Sequence, residues 1–498
     1  METVFPDVPV VDQANWTIET EKELLLTTLR RAIERAADIG RPVLASILLP
    51  VPPCDALSVF DAFQKAQIGA GFFWEQPAQQ KALVGAGTVY EIEVSGSERF
   101  AQATRMWQDL QHNALVAYAG GTMPEQIGGP IFFGGFAFDP QQSHTELWQG
   151  FPDGLLVLPR LLFCMQKQHP TLTMNMLVEA TSDLEVSAAH VISMLQLWQS
   201  MFRRLSGQAY PMPADAAGQR QLVTRDIMSR AEWDAMITSA VQDIESGLYT
   251  KVVLARDVEV TSAEQQFDIL ETLARLRAGY PAAYVFAIQR GKRYFMGAPP
   301  ERLIYGQDGQ LRTMALAGSA PRGATSEEDR RLGSELLHSS KNRHEHEIVA
   351  STIRETIAAL CSKVWVADAP HLLQLKNIQH LETPIVGELL PGHCVLDALE
   401  GLHPTPAVGG FPRPAALQAI RDYENFDRGW WAGPVGWIDA QGNGEFAVAL
   451  RSGLVEGNRA TVFAGCGIVA GSQPESEYIE TCLKLNVMLR GLGGEEQR

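Results

Sequence analysis

The stretch GPVGWIDAQGNGEFAVALRSGLVEGNRATVFAGCGIVAG, residues 433–471, decides the fold class. Three runs rich in apolar residues alternate with two short turns that contain glycine and asparagine, AQGNG and EGNR. Loops this short join antiparallel neighbours, so the stretch predicts a β-meander in which Arg451 sits on a strand. The segment that follows, residues 472–492, predicts a final helix because Pro474 suits a first helical turn.

Helices and strands mix along the preceding chain without strict βαβ alternation. A capping box at Ser229 to Glu232 opens a helix that Gly247 ends, and YTKVVLARDVEV at 249–260 predicts a strand. A second capping box, Thr325 to Glu328, opens the helical region that leads to residues 339–351. This order favours an α+β architecture with large antiparallel sheets over a doubly wound fold.

Composition and charge exclude several classes of function. The chain has 498 residues, of which 46% are hydrophobic and 20% charged, as in ordinary globular proteins. Its net charge of -17 argues against a nucleic-acid partner. No apolar run approaches the roughly 20 residues that span a bilayer, and residues 1–13 lack the pattern of a signal peptide. We therefore expect a cytoplasmic protein without a membrane partner.

The cysteines and one compositional break bear on location and organisation. None of the six cysteines forms a C-x-x-C motif, which predicts free thiols in a reducing compartment: Cys54, Cys164, Cys361, Cys394, Cys466 and Cys482. The stretch SGQAYPMPADAAGQRQ, residues 206–221, reads as a surface connection. We expect a region 1–215 that completes the sheet core and a catalytic region 216–498.

The segment SSKNRHEHEIVAS, residues 339–351, carries two histidines and two glutamates. His344 and His346 are two residues apart and cannot jointly bind zinc, which needs an i, i+4 pair on one helix face. Glu345 falls instead on the predicted buried stripe of Val349, Ile353, Ile357 and Leu360. A buried carboxylate needs a cation or donors, unless Glu345 merely begins a frayed helix and favours its dipole.

Lys251 and Glu301 are candidates for proton transfer. Lys251 shares one face of its strand with Val253 and Ala255, so its amine either snorkels at the strand end or is desolvated. Desolvation would lower the pKa of the amine and make it a usable base. Glu301, in GAPPERL, follows two prolines that stiffen its backbone, which suits a general acid, although a plain surface glutamate is the simpler alternative.

The last helix and the meander offer groups for a metal and an anion. Glu477, Glu480 and Lys484 lie on one stripe, which predicts either an ordinary Glu480–Lys484 salt bridge or, with Glu345, a Mg²⁺ site. Arg451 could clamp a carboxylate, and the glycines of AGCGIVAGS could present N–H groups to it. The G-x-G-x-x-A match at 465–470 lacks the acidic residue of a dinucleotide site.

These residues fall in stretches that resemble the chorismate-utilising enzymes, and within them the isochorismate synthases. The stretches run in the family's order: KVVLARD, FMGAPPERLI, ALAGSAPRG, SSKNRHEHEIV, NIQHLETP, LHPTPAVGGFP, DRGWWAGPVGW, AVALRSG and AGCGIVAGSQPESEYIETCLK. A weaker match, GGFAFDP, lies at 134–140. The resemblance implies a fold of large orthogonal antiparallel sheets surrounded by helices, and a Mg²⁺-dependent activity.

The resemblance also implies a role for each matched residue. Lys251 corresponds to the base that activates water, and Glu301 to the acid that protonates the departing hydroxyl. The metal would be held by Glu345 and Glu480, with Glu477 beside them. The substrate site would comprise Ala317, Gly318, Ser319, His380, Arg451, Gly465, Gly467 and Lys484. Relatives often carry an acidic residue where this chain has Asn342, so the resemblance does not imply a metal ligand at that position.

Two positions narrow the implied reaction. Ala317 stands where relatives that make aminodeoxychorismate carry a nucleophilic lysine, and Lys251 is present where anthranilate synthases generally lack it. The resemblance therefore implies an isomerase that adds water to chorismate at C2 with loss of the C4 hydroxyl, and no glutamine amidotransferase subunit. Salicylate synthase, which goes on to eliminate pyruvate, and a non-catalytic chorismate-binding relative remain alternatives. The product could feed menaquinone or siderophore biosynthesis.

Overall fold

A computed structural model of the chain describes residues 2–4, 18–118, 128–142, 145–166, 170–211, 221–263, 265–374 and 378–494. Most of the surface connection expected at 206–221, and the boundary at residue 215, lie outside the described residues. The helices of the described part are α1 Ile18–Ile39, α2 Ala56–Lys65, α3 Arg99–His112, α4 Leu184–Leu205, α5 Arg230–Glu245, α6 Ile269–Gly279, α7 Ser326–His338, α8 Ser340–Ala358, α9 Val395–Leu402, α10 Arg413–Tyr423 and α11 Pro474–Gly491.

The strands belong to two large sheets. They are β1 Glu2–Val4, β2 Val43–Pro50, β3 Gly71–Gln76, β4 Lys81–Ala86, β5 Tyr90–Val94, β6 Leu115–Tyr118, β7 Ile131–Phe136, β8 Gly154–Leu158, β9 Leu161–Gln166, β10 Thr171–Val178, β11 Leu222–Asp226, β12 Lys251–Ser262, β13 Val285–Arg290, β14 Arg293–Gly297, β15 Arg302–Gln307, β16 Gln310–Pro321, β17 Cys361–Val366, β18 His371–Gln374, β19 Ile378–Leu389, β20 Gly410–Phe411, β21 Pro434–Asp439, β22 Gly444–Val448, β23 Ser452–Glu456 and β24 Arg459–Ile468.

The larger sheet has the order β1-β6-β2-β10-β9-β4-β3-β13-β14-β23-β24-β12-β11, with β20 paired to β12. The smaller sheet has the order β17-β19-β16-β15-β22-β21-β7-β8-β5, with β18 paired to β19. Among the described strands, β6 pairs in parallel with β1 and β2, and the other pairs are antiparallel. The predicted α+β class with large antiparallel sheets is confirmed.

Each of the two sheets contains strands that precede residue 215 and strands that follow it. In the larger sheet β3 pairs with β13, and in the smaller sheet β7, which carries part of GGFAFDP, pairs with β21. One apolar core contains residues of both sheets and of helices α3, α5, α8, α9 and α10, and a second contains residues of the larger sheet and of helices that include α1, α4 and α11. The division into two regions at residue 215 stays a prediction.

The predicted meander is correct in its hairpins and wrong in its middle strand. β21 pairs with β22, and β23 pairs with β24, both antiparallel. The run EFAVALRSGLV is not one strand, however: β22 belongs to the smaller sheet and β23 to the larger. Arg451 lies between them with φ +52, a left-handed conformation that turns the chain from one sheet to the other. The placement of Arg451 on a strand is therefore corrected.

Local sequence signals explain the helices around the site. Oγ of Ser229 accepts a hydrogen bond from the Glu232 amide, and the Glu232 carboxylate accepts one from the Ser229 amide, which completes the predicted capping box of α5. Ser339 ends α7 and caps α8. The buried stripe of α8 contains Val349, Ile353 and Ile357, as predicted, whereas Leu360 lies beyond the end of the helix.

Two further expectations concern thiols and membranes. All six cysteines are buried and unbridged. Among the described residues, no helix combines the length and apolar character needed to cross a bilayer.

Candidate active site

The ammonium of Lys251 and the carboxylate of Glu345 form a shielded ion pair. Nζ of Lys251 lies 2.8 Å from Oε1 of Glu345, and the two side chains are 1% and 13% exposed. Lys251 begins β12 and is desolvated rather than snorkelling. The cation that the inward carboxylate of Glu345 requires is therefore supplied by Lys251, 94 residues earlier in the chain, and not by the last helix.

Gly467 leaves room for this pair. It lies opposite Val253 in the β12–β24 ladder. A Cβ atom at Gly467 would lie 2.8 Å from Oε1 of Glu345 and 3.1 Å from Cε of Lys251. Only glycine lets the backbone of β24 approach the pair so closely.

Glu301 is a buried carboxyl within the field of three cations. It is 5% exposed and lies between β14 and β15, directly after the two prolines. Burial raises the pKa of Glu301 to about 7, although the charges of Arg451, Lys251 and Lys484 act in the opposite direction. The plain surface glutamate is thus ruled out, and Glu301 can hold and donate a proton near neutral pH.

Arg451, Lys484, Gly465 and Gly467 line one small cavity of about 50 Å³. Nζ of Lys484 donates to the carbonyl of Gly465 at 2.8 Å and lies 2.7 Å from Oε1 of Glu480. A larger cavity of about 330 Å³ also reaches Arg451 and Lys484 and is walled by Tyr280, Pro281 and neighbouring apolar residues. The two cations therefore stand where an anion entering either cavity would meet them.

His380 and the segment Ala317 to Ser319 face one another across β16 and β19. Ser319 pairs with His380 in the ladder, and Oγ of Ser319 shares a 2.8 Å hydrogen bond with Nδ1 of His380. Burial and the positive charges of Arg451 and Lys484 lower the pKa of His380 to about 3. Its Nε2 atom is buried without a hydrogen-bond partner in the described part of the chain, which leaves it open to a ligand.

Residue 318 adopts a backbone conformation that favours glycine. Its φ of +78 produces a bulge in the β16–β19 pairing, and a Cβ atom there would lie 3.2 Å from Cβ of Asn342. Asn342 itself donates from Nδ2 to Oγ of Ser339 at 2.8 Å. It therefore stabilises the start of α8.

Glu477 and Glu480 place two carboxyl groups close together on one turn of α11. Glu477 is buried, and its pKa is raised by burial and by the charge of Glu480. Burial would raise the pKa of Glu480 as well, but Lys484, His380 and Arg451 outweigh it and lower that pKa. The predicted Glu480–Lys484 salt bridge is present.

The candidate metal ligands are all carboxylate oxygens, the donor type that Mg²⁺ prefers. A divalent cation would also relieve the repulsion between Glu477 and Glu480. In the described ranges, though, no group of three His, Cys, Asp or Glu side chains is already gathered in an arrangement that could hold a metal. Glu345 and Glu480 instead each bind a lysine. The residues therefore fit Mg²⁺ by donor type, with lysines as competitors.

One buried residue beside the site was not anticipated. His346 is 3% exposed, and its Nε2 lies 2.7 Å from Oγ1 of Thr383. Its Nδ1 lies 3.3 Å from the carbonyl of Ala317, so it joins α8 to the substrate-site segment. Burial lowers its pKa. The spacing of His346, Ala350 and Ile353 along α8 carries the signal that would have found it.

The fold and these residues identify the enzyme family to which the chain belongs. The chain belongs to the chorismate-binding enzyme family, whose model, described as "Chorismate binding enzyme", matches residues 31–493. The family resemblance indicated by the motifs is thereby confirmed.

Individual relatives cover nearly the whole chain. Isochorismate synthase MenF of Bacillus subtilis is 38% identical over 485 residues, which cover 95% of this chain and 100% of that protein. The salicylate biosynthesis isochorismate synthase of Pseudomonas aeruginosa is 39% identical over 94% of this chain and 95% of that protein. The solved structure of MenF, the menaquinone-specific isochorismate synthase of Escherichia coli, is 28% identical, with a TM-score of 0.72 over 93% of this chain and 99% of that one.

Proposed function

We propose that the chain is an isochorismate synthase, an isomerase that converts chorismate to isochorismate. The observation that carries the proposal is the convergence of a buried amine, Lys251, and a buried carboxyl that can be protonated near neutrality, Glu301. A base and an acid are both required, because water must lose a proton as it adds at C2 while the C4 oxygen gains one as it leaves. The full-length similarity to isochorismate synthases supports the same reaction.

Lys251 takes the proton of the attacking water, and Glu301 supplies a proton to the departing oxygen. As water adds at C2, the double bonds of the ring shift and the bond from C4 to oxygen breaks. Lys251 can accept a proton only when its ion pair with Glu345 opens and the amine is neutral. The raised pKa of Glu301, about 7, keeps its proton available for donation.

Substrate carboxylates bind between the two cations of the small cavity. Arg451 and Lys484 hold them by charge-assisted hydrogen bonds, and the close backbone at Gly465 and Gly467 leaves room for them. Ala317, Gly318 and Ser319 add a further wall, and the open Nε2 of His380 accepts or donates one hydrogen bond to the substrate. Together these contacts fix the ring relative to the acid and the base.

Glu345 and Glu480, with Glu477 beside them, are the residues that would hold Mg²⁺. When bound there, the ion would offset substrate carboxylate charge and orient the ring. Each of the two first-named carboxylates must exchange a lysine for the ion.

Water as the nucleophile distinguishes this reaction from its relatives. Ala317 offers no nucleophilic amine, so a covalent adduct at that position is not available. Because no ammonia is consumed, the enzyme works without a glutamine amidotransferase subunit. We further propose that it acts in the cytoplasm, where its six free thiols stay reduced.

The test is incubation of purified protein with chorismate and Mg²⁺, followed by chromatography of the products. We expect isochorismate to accumulate. Appearance of salicylate fluorescence with pyruvate would favour salicylate synthase. Tight chorismate binding without turnover, unchanged in Lys251→Ala, would identify a non-catalytic relative.

A further inference from the structure

A β-bulge fixes the direction in which Glu301 points. In the pairing of β15 with β22, Arg302 lies opposite Ala447, but Ile304 lies opposite Phe446, so one extra residue is inserted at Leu303. A bulge of this kind shifts the alternation of side chains by one position. Without it, every side chain upstream of Leu303 would face the other side of the sheet.

The bulge places Arg302 on the same face as Glu445. Glu445 and Ala447 are two residues apart on β22 and therefore share a face, and Arg302 is opposite Ala447. Glu301, the neighbour of Arg302, then points to the opposite face, where the charges of Arg451 and Lys251 reach it. The face that Arg302 occupies thus determines where the acid points.

Glu445 holds Arg302 on that face through a buried polar cluster. Glu445 is 1% exposed and accepts hydrogen bonds from Nζ of Lys81 at 2.6 Å, from the hydroxyl of Tyr284 at 2.9 Å and from Nε2 of Gln76 at 3.2 Å. Nε of Arg302 donates to the Tyr284 hydroxyl at 2.9 Å and lies 3.4 Å from Oε1 of Glu445. The carboxylate is the common acceptor of this cluster.

The cluster draws on the N-terminal part of the chain. Gln76 ends β3 and Lys81 begins β4, so one hairpin of the larger sheet supplies both. The ammonium of Lys81 is buried and also lies over the rings of Trp437, at 4.9 Å, and Tyr305, at 5.2 Å. A buried carboxylate is stable only with such a partner, so the ion pair with Lys81 holds Glu445 in place.

We propose that Glu445, held by Lys81, is a positioning residue for the proton donor: it anchors Arg302, maintains the bulge at Leu303, and so presents Glu301 to the substrate. This inference rests on the role proposed for Glu301. It gives the hairpin β3–β4 a part in catalysis although none of its residues is among those proposed to contact the substrate.

The test is Glu445→Gln, which keeps the size of the side chain and removes its charge. We expect kcat to fall about tenfold to a hundredfold, as a misplaced catalytic group does. The KM for chorismate should change by less than about threefold, since Arg451 and Lys484 are untouched. The matched control is Arg277→Gln, which breaks an ion pair with Asp55 and Glu75 on the other face of β3 and should leave kcat unchanged.

A double variant separates positioning from stability. Lys81→Met with Glu445→Gln removes both buried charges, so it should unfold at a higher urea concentration than Glu445→Gln alone. Its kcat should nevertheless stay low, because Arg302 still lacks its carboxylate. If kcat recovers together with stability, or if Glu445→Gln matches the Arg277→Gln control, the inference is overturned.

A crystal structure of Glu445→Gln tests the positioning role of Glu445 without an activity assay. We expect Arg302 to leave residue 445 and the register of β15 to change at Leu303. An unchanged bulge with Glu301 in place would refute the positioning role. Absence of isochorismate from the wild-type reaction, by contrast, would refute the proposed function and leave this structural outcome to decide the inference.

Discussion

Lys251 and Glu345 meet with their charged atoms 2.8 Å apart, one at the start of β12 and the other in the second turn of α8. The pair joins the proposed base to a proposed metal ligand. Each group therefore limits the other. While the two remain paired, the amine of Lys251 cannot accept a proton and the carboxylate of Glu345 cannot bind Mg²⁺.

Replacing Lys251 with methionine should abolish isochorismate formation and raise the affinity for Mg²⁺, because the ammonium that competes for Glu345 is removed. The variant lacks the base but keeps every carboxylate. Because Glu345 is left largely buried without a cation, the free energy of unfolding should fall by roughly 3 kcal/mol. Calorimetric titration with Mg²⁺ and urea unfolding check both points, with the exposed Lys363→Met as control. Loss of Mg²⁺ binding in Lys251→Met would contradict the roles assigned.

The free energy of unfolding of the wild type should depend on pH in a way that Glu301→Gln abolishes. Burial raises the pKa of Glu301 from 4.5 to about 7, so between these values the folded state retains a proton that the unfolded state releases. The wild type should therefore lose stability relative to Glu301→Gln as the pH rises through this window, by about 3 kcal/mol in total. Urea unfolding at about pH 4 and about pH 8 measures the difference. A constant difference between the two proteins would argue against the raised pKa.

The pH dependence of wild-type activity should reflect the protonation of Glu301. If Glu301 is the proton donor, kcat/KM decreases as the pH rises above about 7, because the free enzyme loses the required proton. Glu301→Gln should show no measurable turnover at any pH. A wild-type profile that stays flat to about pH 9 would exclude Glu301 as the donor.

Gly467→Ala should disturb the ion pair directly. The added methyl group would lie 2.8 Å from Oε1 of Glu345, closer than such contacts allow, so the carboxylate and the Lys251 amine must move. We expect kcat/KM to fall on the order of a hundredfold while the protein remains folded. Steady-state kinetics with circular dichroism gives the answer, and wild-type kinetics would show that the close approach at Gly467 is dispensable.

Arg451 combines backbone strain with substrate binding, and two substitutions separate them. At φ +52 a glycine is unstrained, so Arg451→Gly should be more stable than Arg451→Ala by about 1 kcal/mol. Both variants lack the guanidinium and should raise the KM for chorismate to a similar degree. Thermal unfolding and initial rates test this, and equal stabilities would indicate that the conformation at residue 451 costs nothing.

Local sequence signals predicted much of the fold. The capping box at Ser229, the β-branched run of β12 and the stripe of α8 are properties of neighbouring residues, and each appears where it was expected. The two hairpins of residues 433–471 follow from turn chemistry in the same way. The candidate site residues came chiefly from family motifs, and their roles stay predictions.

Long-range relationships were beyond the sequence. EFAVALRSGLV reads as one strand because its apolar residues continue through Arg451, and only the presence of two sheets reveals the turn there. The partner of Glu345 was sought in the last helix, although Lys251 supplies it. Likewise, nothing near Glu301 in the sequence indicates that Lys81, more than 200 residues away, stabilises the cluster beside it.

Addition of water to chorismate at this site is tested most directly by running the reaction in ¹⁸O-labelled water with Mg²⁺ and analysing the product by mass spectrometry. We expect isochorismate that carries one ¹⁸O atom, at C2, and no labelled product from Lys251→Met. Isochorismate without the label, or a labelled product from Lys251→Met, would contradict this expectation.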